Sequence, residues 1–343
     1  FLGIEEQEIK RKKKSNKKII PIFYASDVNY LPFLSVSLQS LKENRCKKYL
    51  YKIHILHDGI NINDQLSILE YNESNFNVEF IDVNKKLNEI KNGLQLRDYY
   101  SGATYYRIFI ANMFAEYDKA IYLDSDTIIL GDISELYKYN LKNKYVGAIT
   151  DAVVNGNDIF KKYSREVLGI SPNKYFNAGI LLMNLRKFRE ENFYEKFKNL
   201  LLEYKFRVAQ DQDYLNVICK NQVVYLPYSW NTMPVSGEKE KLPNIIHYNL
   251  TMKPWHYAEI PYSRYFWEFV KSNNYSDYIR DVFGNYTLSL QKRDEMVEKN
   301  LVNLALEEIN REDNFIKTRI KIELTKDETI NSNIECYPVG VNE

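Results

Sequence analysis

Two aspartates, one residue apart, interrupt an apolar run in the segment IYLDSDTIIL, residues 121–130. Carboxylates beside buried apolar residues are costly unless a cation, several donors or water accompany them. In extended backbone, Asp124 and Asp126 point to the same side and can both bind one hard cation, Mg²⁺ or Mn²⁺. Phosphate groups of a substrate typically complete the coordination shell of such a cation. The alternative is a pair of ordinary turn residues, and the same spacing recurs at Asp211 and Asp213.

The segment ASDVNY, at the end of an apolar run, offers groups that bind nucleotides. Asp27 and Asn29 can hydrogen-bond a base or a ribose, and Tyr30 can stack on a ring. An Asx turn ahead of the next helix is the alternative interpretation.

Basic and imidazole groups complete a metal and diphosphate site. Arg107 lies in a helical pattern ahead of the aspartates and would contact a phosphate or a sugar, with a plain salt bridge as the alternative. His247 opens the segment HYNLTMKPW, followed by Lys253. A neutral imidazole as third metal ligand with a lysine for the diphosphate is coherent chemistry, although a lone histidine is more often structural.

The elements that position these residues alternate between strand and helix patterns. Apolar runs at 19–25, 51–59 and 77–83 predict strands, and the helical spacing of LPFLSVSLQSLKEN separates the first two. This alternation predicts a mostly parallel, doubly wound α/β sheet flanked by helices. The two aspartates follow the strand AIYL, and ligands of such sheets bind at the carboxyl ends of the strands.

The rest of the chain predicts one core and a tail. After the aspartates, the sequence predicts four features in order: a helix in GDISELYKY, a strand in KYVGAIT, a long polar connection over 151–174, and an Asn-Ala-Gly ahead of a strand in KYFNAGILLMN. We expect a basic leader over 1–18, a catalytic domain over 19–261, and a helical, charged extension over 262–343, whose aromatic start packs on the core.

Composition excludes some classes of protein. The formal net charge of +1 gives no polyelectrolyte signal for nucleic acid. Three widely spaced cysteines fit a reducing compartment, which favours a cytoplasmic location. The basic run between Lys10 and Lys18 fits either a solvated leader or peripheral contact with an anionic membrane, at its inner face. No apolar stretch reaches the roughly 18 residues that span a bilayer.

The ordered segments ASDVNY, YYRIFIA, YLDSDTIIL, YFNAGILLMN, QDQDYLN and HYNLTMKPW resemble glycosyltransferase family 8 over residues 19–260. That family includes bacterial lipopolysaccharide galactosyl- and glucosyltransferases and, more distantly, glycogenin. The resemblance implies a GT-A fold, a UDP-sugar donor, commonly Mn²⁺, and retention of the anomeric configuration. It implies transfer of glucose or galactose to a glycan or glycolipid acceptor, such as a lipopolysaccharide core.

The resemblance also implies a role for each matching residue. The metal ligands are Asp124, Asp126 and His247, and Lys253 contacts the diphosphate. The donor is bound by Ala25, Asp27, Asn29, Tyr30, Arg107, Ser125, Asn177, Ala178 and Asp211. The catalytic residues are Gln212, which lies under the anomeric carbon of the donor sugar, Asp211 and Arg107.

One position departs from the family pattern, because Leu250 stands where a glycine usually precedes Lys-Pro-Trp. A leucine there is expected to change the loop or the donor affinity. A nucleotide-sugar hydrolase and a non-catalytic nucleotide- or carbohydrate-binding protein are the alternative functions. Residues 285–343 can bind a lipid surface, form an oligomer contact or contact the acceptor, and the sequence does not choose among these.

Overall fold

Seven strands form the main sheet in the computed structural model, which describes residues 17–90, 102–235, 237 and 239–320. The sheet order is β3-β2-β1-β4-β7-β6-β8, and a separate two-stranded sheet pairs β5 with β9. The strands are β1 Ile19–Ala25, β2 Leu50–His57, β3 Phe76–Asp82, β4 Ala120–Leu123, β5 Thr127–Ile129, β6 Val146–Thr150, β7 Phe176–Met183, β8 Val223–Tyr225 and β9 Ile245–His247.

The sheet is mixed and mostly parallel, as the sequence predicts. β1 runs parallel to both β2 and β4, and β2 runs parallel to β3. β7 is antiparallel to β4 and to β6. Because of this reversal, the start of β7 lies at the same edge of the sheet as the ends of β1 and β4.

Helices cover both faces of the sheet. They are α1 Leu31–Asn44, α2 Ile62–Leu69, α3 Asn84–Ile90, α4 Ile110–Met113, α5 Ile133–Lys138, α6 Ala152–Gly156, α7 Asp158–Glu166, α8 Leu185–Glu190, α9 Phe193–Glu203, α10 Gln210–Ile218, α11 Ser263–Val270, α12 Ser276–Gly284 and α13 Leu288–Asn310. All eight residues of β7 are buried. A strand covered on both faces reads as a continuous apolar run, and FNAGILLM fits that rule.

Side chains of the central strands divide between two core clusters. Phe23 and Tyr122 belong to the cluster on one face of the sheet, and their neighbours Ile22 and Ile121 belong to the cluster on the other. This separation follows from the two-residue side-chain period of a strand. The central strands are therefore held from both sides.

Three details differ from the sequence expectation. Residues 151–174, expected as a polar connection, contain α6 and α7, whose first turns are capped by the side chains of Asp151 and Asn157. The Asn-Ala-Gly segment lies inside β7 and not ahead of it. The helical pattern after residue 101 is a 3₁₀ helix, Gly102–Phe109, continued by α4.

The C-terminal helices pack on this core. Phe266 and Val270 of α11 join Trp255 and Tyr248 in one apolar cluster, and Ala305 and Ile309 of α13 are buried in the main core. The expectation that the aromatic start of the extension packs on the core is met. Within the described ranges, no helix is long and apolar enough to cross a membrane. Residues 1–16 of the basic leader and residues 321–343 lie outside the described residues.

Candidate active site

One cavity of about 220 Å³ opens where β1, β4 and β7 meet. Asp124 follows the end of β4, and its backbone N–H donates to the carbonyl of Gly179 in β7 at 2.7 Å. The Ser125 hydroxyl donates to the carbonyl of Ala25, the last residue of β1, at 2.8 Å. Hydrogen bonds between strand ends therefore fix this edge of the sheet.

The cavity contains almost all of the residues that the sequence singled out. They are Ala25, Asp27, Tyr30, Arg107, Asp124, Ser125, Asp126, Asn177, Ala178, Asp211, Gln212, His247 and Lys253. Asn29 is different, because its side chain is exposed and is not among the residues that line the cavity. Asp27 Oδ1 accepts the N–H groups of Asn29 and Tyr30, which is the Asx turn that the sequence left open.

Two carboxylates and an imidazole converge at the centre of the cavity. One ligand atom from each of Asp124, Asp126 and His247 lies within 4.8 Å of the other two. His247 Nε2 is 3.7 Å from Asp124 Oδ2 and 3.2 Å from Asp126 Oδ1. His247 reaches this position because β9, which it ends, pairs with β5, whose first residue follows Asp126.

A chain of amide side chains fixes the tautomer of His247. The backbone N–H of Gly179 donates to Asn177 Oδ1 at 2.9 Å, so this oxygen must also accept from Asn231 Nδ2, at 2.9 Å. Asn231 Oδ1 therefore faces His247 Nδ1, 3.1 Å away, and that nitrogen must carry the proton. In the neutral imidazole, the lone pair is on Nε2 and points toward the two aspartates.

The donor set fits a divalent cation. Asp126 Oδ1 is buried and accepts no hydrogen bond from the described residues, while the Nε2 lone pair lies 3.2 Å away. Two buried acceptors that face each other repel unless a positive charge lies between them, and a divalent cation would supply that charge. Carboxylate oxygens with one imidazole nitrogen suit Mg²⁺ or Mn²⁺.

Gly179 gives this cluster its space. A Cβ built at position 179 would lie 2.3 Å from His247 Cε1 and 2.7 Å from Asp124 Oδ2. Neither side chain can withdraw easily, because His247 is held by Asn231 and Asp124 accepts the Tyr122 hydroxyl at 2.9 Å. Glycine is therefore required by close approach and not by backbone conformation.

Lys253 brings positive charge to the same cluster. Its ammonium donates to Asp126 Oδ2 and to the carbonyl of Tyr248. Burial alone would raise the pKa of Asp126, but the charge of Lys253 is the largest effect that opposes burial, and the pKa is held well below its usual range. Asp126 is therefore ionised.

Arg107 lies between two carboxylates and is 2% exposed. Its Nη2 is 3.3 Å from Asp124 Oδ1 and its Nε is 2.9 Å from Asp211 Oδ2. The Nε–H points to the carbonyl of Thr104, at 2.8 Å, so the contact with Asp211 is electrostatic and not a hydrogen bond. Burial opposes the charge of Arg107, but the two carboxylates raise its pKa overall.

Asp211 and Asp213 differ in their surroundings although both are buried. Burial raises the pKa of Asp211 to about 7, against the opposing charge of Arg107. Asp213 accepts the hydroxyls of Tyr163 and Tyr175 at 2.8 and 2.7 Å and the N–H of Ala209 at 2.9 Å. Both oxygens of Asp213 are thus occupied by structural contacts.

Gln212 is held from both ends of its amide. Its Oε1 accepts the N–H of Ala178 at 2.9 Å, which fixes the orientation of the amide. Its Nε2 donates to Asp151 Oδ2 at 3.1 Å and to the Tyr175 hydroxyl at 3.2 Å. Asp151 also accepts from Asn177 Nδ2 at 3.1 Å, so one carboxylate orients both predicted donor-binding amides.

The departure at Leu250 is now explained geometrically. Leu250 has a φ of 52°, the left-handed conformation that glycine adopts without strain. The chain therefore keeps the backbone that the usual glycine would allow, with a leucine side chain directed at the cavity.

Asp151, Asn231 and Gly179 are among the site residues that the sequence did not predict. Asp151 and Asn231 are isolated polar residues, and only their strand-end and turn contexts were visible. Gly179 was noted as part of Asn-Ala-Gly without a role. The signal for Asp151 was present, since an aspartate before a helix is a typical N-cap.

The chain belongs to glycosyltransferase family 8, because the family profile matches residues 21–259. Among its relatives, a lipopolysaccharide 1,2-glucosyltransferase of Escherichia coli K12 is 26% identical over 74% of this chain and 78% of its own length. A lipopolysaccharide 1,3-galactosyltransferase of Salmonella typhimurium is 29% identical over 74% of this chain and 78% of its own.

The fold is that of a solved relative as well. The galactosyltransferase LgtC, determined with donor and acceptor sugar analogues, superposes with a TM-score of 0.65 at 27% identity, over 74% of this chain and 96% of LgtC. The predicted GT-A-like fold, with its helical C-terminal extension, is confirmed.

Proposed function

We propose that the protein transfers glucose or galactose from a UDP-sugar to a hydroxyl of a glycan or glycolipid acceptor, with a divalent metal, Mn²⁺ or Mg²⁺, and with retention of the anomeric configuration. The observation that carries the proposal is the pair of facing acceptors, His247 Nε2 and Asp126 Oδ1, in a buried cavity. The names of the two lipopolysaccharide hexosyltransferase relatives support a hexose donor.

Asp124, Asp126 and His247 are the residues that would hold the metal. A bound divalent cation supplies charge stabilisation for the departing diphosphate. Lys253, beside Asp126 in the same cavity, adds a second positive charge for that diphosphate. Asp27 and Tyr30 line the cavity and would bind the uridine, and Asn29 is a weaker candidate because its side chain is exposed.

Arg107, Asn177 and Asp211 hold the donor sugar, and Ala25, Ser125 and Ala178 complete its binding surface. Gln212 acts through its carbonyl oxygen. A carbonyl oxygen has two lone pairs, and the Ala178 N–H uses one, so the other can stabilise positive charge at the anomeric carbon. The acceptor hydroxyl then attacks the face from which UDP departs.

A double displacement through an aspartate is less favoured. Asp213 is excluded as a nucleophile because Tyr163, Tyr175 and Ala209 occupy its two oxygens. Burial raises the pKa of Asp211 to about 7, so a large fraction of this carboxyl is protonated at neutral pH and is a poor nucleophile.

The first test is a thermal-shift panel of UDP, UDP-glucose, UDP-galactose, UDP-N-acetylglucosamine and GDP-mannose, each with and without Mn²⁺. A ligand that binds only the native state raises the Tm by mass action. We expect a Mn²⁺-dependent rise with UDP ligands alone, and its loss in Asp124→Asn and Asp126→Asn. The matched control is Asp277→Asn, an exposed aspartate of α12. Equal shifts without Mn²⁺, or in both site variants, would overturn the metal assignment.

Turnover then separates the proposed function from its alternatives. A nucleotide-sugar hydrolase releases UDP at the same rate with and without acceptor, whereas a transferase is accelerated by the acceptor. A protein that binds UDP but turns over no UDP-sugar with any acceptor would be a binding protein on the same fold.

A further inference from the structure

A helix beyond the family-matched region forms part of the cavity. The family profile ends at residue 259, while α13 spans Leu288–Asn310. Val297, Glu298 and Leu301 of α13 line the cavity together with the proposed metal ligands. The proposed active site is therefore completed by an element that the family pattern does not include.

Val297 and Leu301 are half-buried on the inward face of α13, and Glu298 beside them is exposed while it also borders the cavity. The face continues with Asp294 before them and with Ala305 and Glu308 after them, at the three- and four-residue spacing of one helix side. Asp294, Ala305 and Glu308 are 2%, 0% and 1% exposed. The cavity residues occupy the middle of this face, between two buried carboxylates.

Both buried carboxylates attach α13 to the core. Asp294 accepts the hydroxyl of Tyr257 at 2.7 Å, and Tyr257 follows the Lys-Pro-Trp segment. Glu308 accepts the hydroxyl of Tyr204 at 2.9 Å and Arg207 Nη1 at 3.1 Å, just ahead of α10 and its Asp211. The helix thus crosses the cavity from the Lys253 side to the Asp211 side.

The chemistry of the α13 wall suits a neutral sugar. Glu298 accepts the hydroxyl of Thr251, in the loop that carries Lys253. A carboxylate repels a diphosphate, but it accepts hydrogen bonds from sugar hydroxyls. Val153 and Phe160 of α6 and α7 also line the cavity, and α13 packs against α7, so Val297 and Leu301 belong to an apolar part of the cavity wall. Aliphatic side chains can contact the C–H face of a sugar ring.

We propose that α13 forms one wall of the acceptor subsite, where Glu298 accepts a hydrogen bond from an acceptor hydroxyl and Val297 and Leu301 contact the sugar ring. The inference rests on the proposed transferase function. It adds a specificity role for a segment outside the family-matched region.

The test measures acceptor and UDP binding separately on the full chain. Methyl β-D-glucopyranoside and methyl β-D-galactopyranoside are titrated into protein saturated with UDP and Mn²⁺, by calorimetry or ligand-observed NMR. We expect Glu298→Ala and Leu301→Ala to weaken glycoside binding about ten-fold, as loss of one hydrogen bond or one apolar contact predicts. The change in UDP affinity should be much smaller than the change in glycoside affinity.

Matched controls lie on the same helix. Glu295 and Met296 are exposed, and Glu295→Ala and Met296→Ala should leave glycoside affinity within about two-fold. Thr251→Val removes the loop contact of Glu298 but keeps the carboxylate, so it should have less effect than Glu298→Ala.

The outcomes are distinguishable. Failure of the wild-type protein to bind UDP would overturn the proposed function, and the acceptor subsite with it. UDP binding without binding of either glycoside, or equal loss of glycoside binding in the α13 variants and their controls, would overturn the subsite alone. Equal losses of UDP and glycoside binding would show that α13 only stabilises the cavity.

Discussion

Gly179 and His247 approach each other so closely that position 179 has no room for a side chain, since a Cβ there would lie 2.3 Å from His247 Cε1. We expect Gly179→Ala to displace the imidazole and weaken Mn²⁺ binding at least about ten-fold, at a stability cost of about 1–3 kcal/mol. Mn²⁺ titration and urea unfolding measure the two effects. Gly156→Ala is the control, because a Cβ at Gly156 would contact nothing within 4 Å. Unchanged Mn²⁺ affinity in Gly179→Ala would remove His247 from the ligand set.

Asn231 should control the tautomer of His247. Asn231 is 0% exposed and provides the oxygen that faces His247 Nδ1. We expect Asn231→Ala to weaken Mn²⁺ binding about ten-fold or more, as loss of a group that orients a metal ligand typically does. ¹⁵N NMR of the metal-free protein should show the Nδ1–H tautomer in the wild type and a mixture in the variant.

The control for that experiment is Asn303→Ala, at an exposed position on α13. If the wild-type ring carries its proton on Nε2, the hydrogen-bond chain from Gly179 does not set the tautomer.

Asp211 should make the protein less stable as the pH rises. Burial raises its pKa to about 7, compared with a usual value of 3.8, so the folded state holds the proton more tightly than the unfolded state. The stability that this proton provides is complete below about pH 4 and is lost as the pH rises through 7. In Asp211→Asn, the free energy of unfolding should therefore fall with rising pH by about 1 kcal/mol less than in the wild type, or by a still smaller amount.

Urea unfolding in the presence of EDTA, at several pH values between 4.5 and 7.5, measures the slope of the unfolding free energy against pH. A residual slope of the same sign is expected from Asp213, because burial raises its pKa to about 6. Asp277→Asn, on an exposed carboxyl, should leave the slope as it is in the wild type. The same slope in Asp211→Asn as in the wild type would contradict the raised pKa.

The left-handed backbone of Leu250, with its φ of 52°, predicts an unusual order of stability among variants at this position. Leu250→Gly should stay within about 1 kcal/mol of the wild type, because relief of strain offsets lost contacts and chain entropy. Leu250→Val should cost about 1–2 kcal/mol more than Leu250→Gly, since β-branched residues rarely adopt this conformation.

Chemical unfolding of the wild type and of these variants measures the order of their unfolding free energies. Leu242→Val is the control at an exposed site, 82% accessible, where the change should stay within about 0.5 kcal/mol. Greater stability of Leu250→Val than of Leu250→Gly would mean that the loop adopts another backbone in solution.

Local patterns predicted the sheet, and the family resemblance predicted the centre of the site. The strands before Asp27 and Asp124 are continuous apolar runs, so their ends were visible in the sequence. His247 is 123 positions from Asp124 and 121 from Asp126, and the family resemblance joined the three. The structure places one ligand atom of each within 4.8 Å of the others. Their role as metal ligands stays a prediction.

The remainder depends on tertiary contacts that no short segment encodes. Asn231 becomes important only because β9 brings His247 beside it, and Asp151 only because Asn177 and Gln212 both reach its Oδ2. Helices α6 and α7 were missed because their polar composition hid the capping residues. The cavity face of α13 is short and lies far from the family motifs in the sequence. The contribution of α13 to the cavity is therefore visible only in the structure.

The bond from Asp124 N–H to the carbonyl of Gly179 also has a kinetic consequence. It joins the residue after the end of β4 to β7, and all residues of these two central strands are buried. An amide in such a position exchanges with solvent deuterium only when the surrounding strands separate. We therefore expect the amide of Asp124 to exchange more slowly than the amides of exposed loops, so that the backbone that carries this carboxylate keeps its place when those loops open.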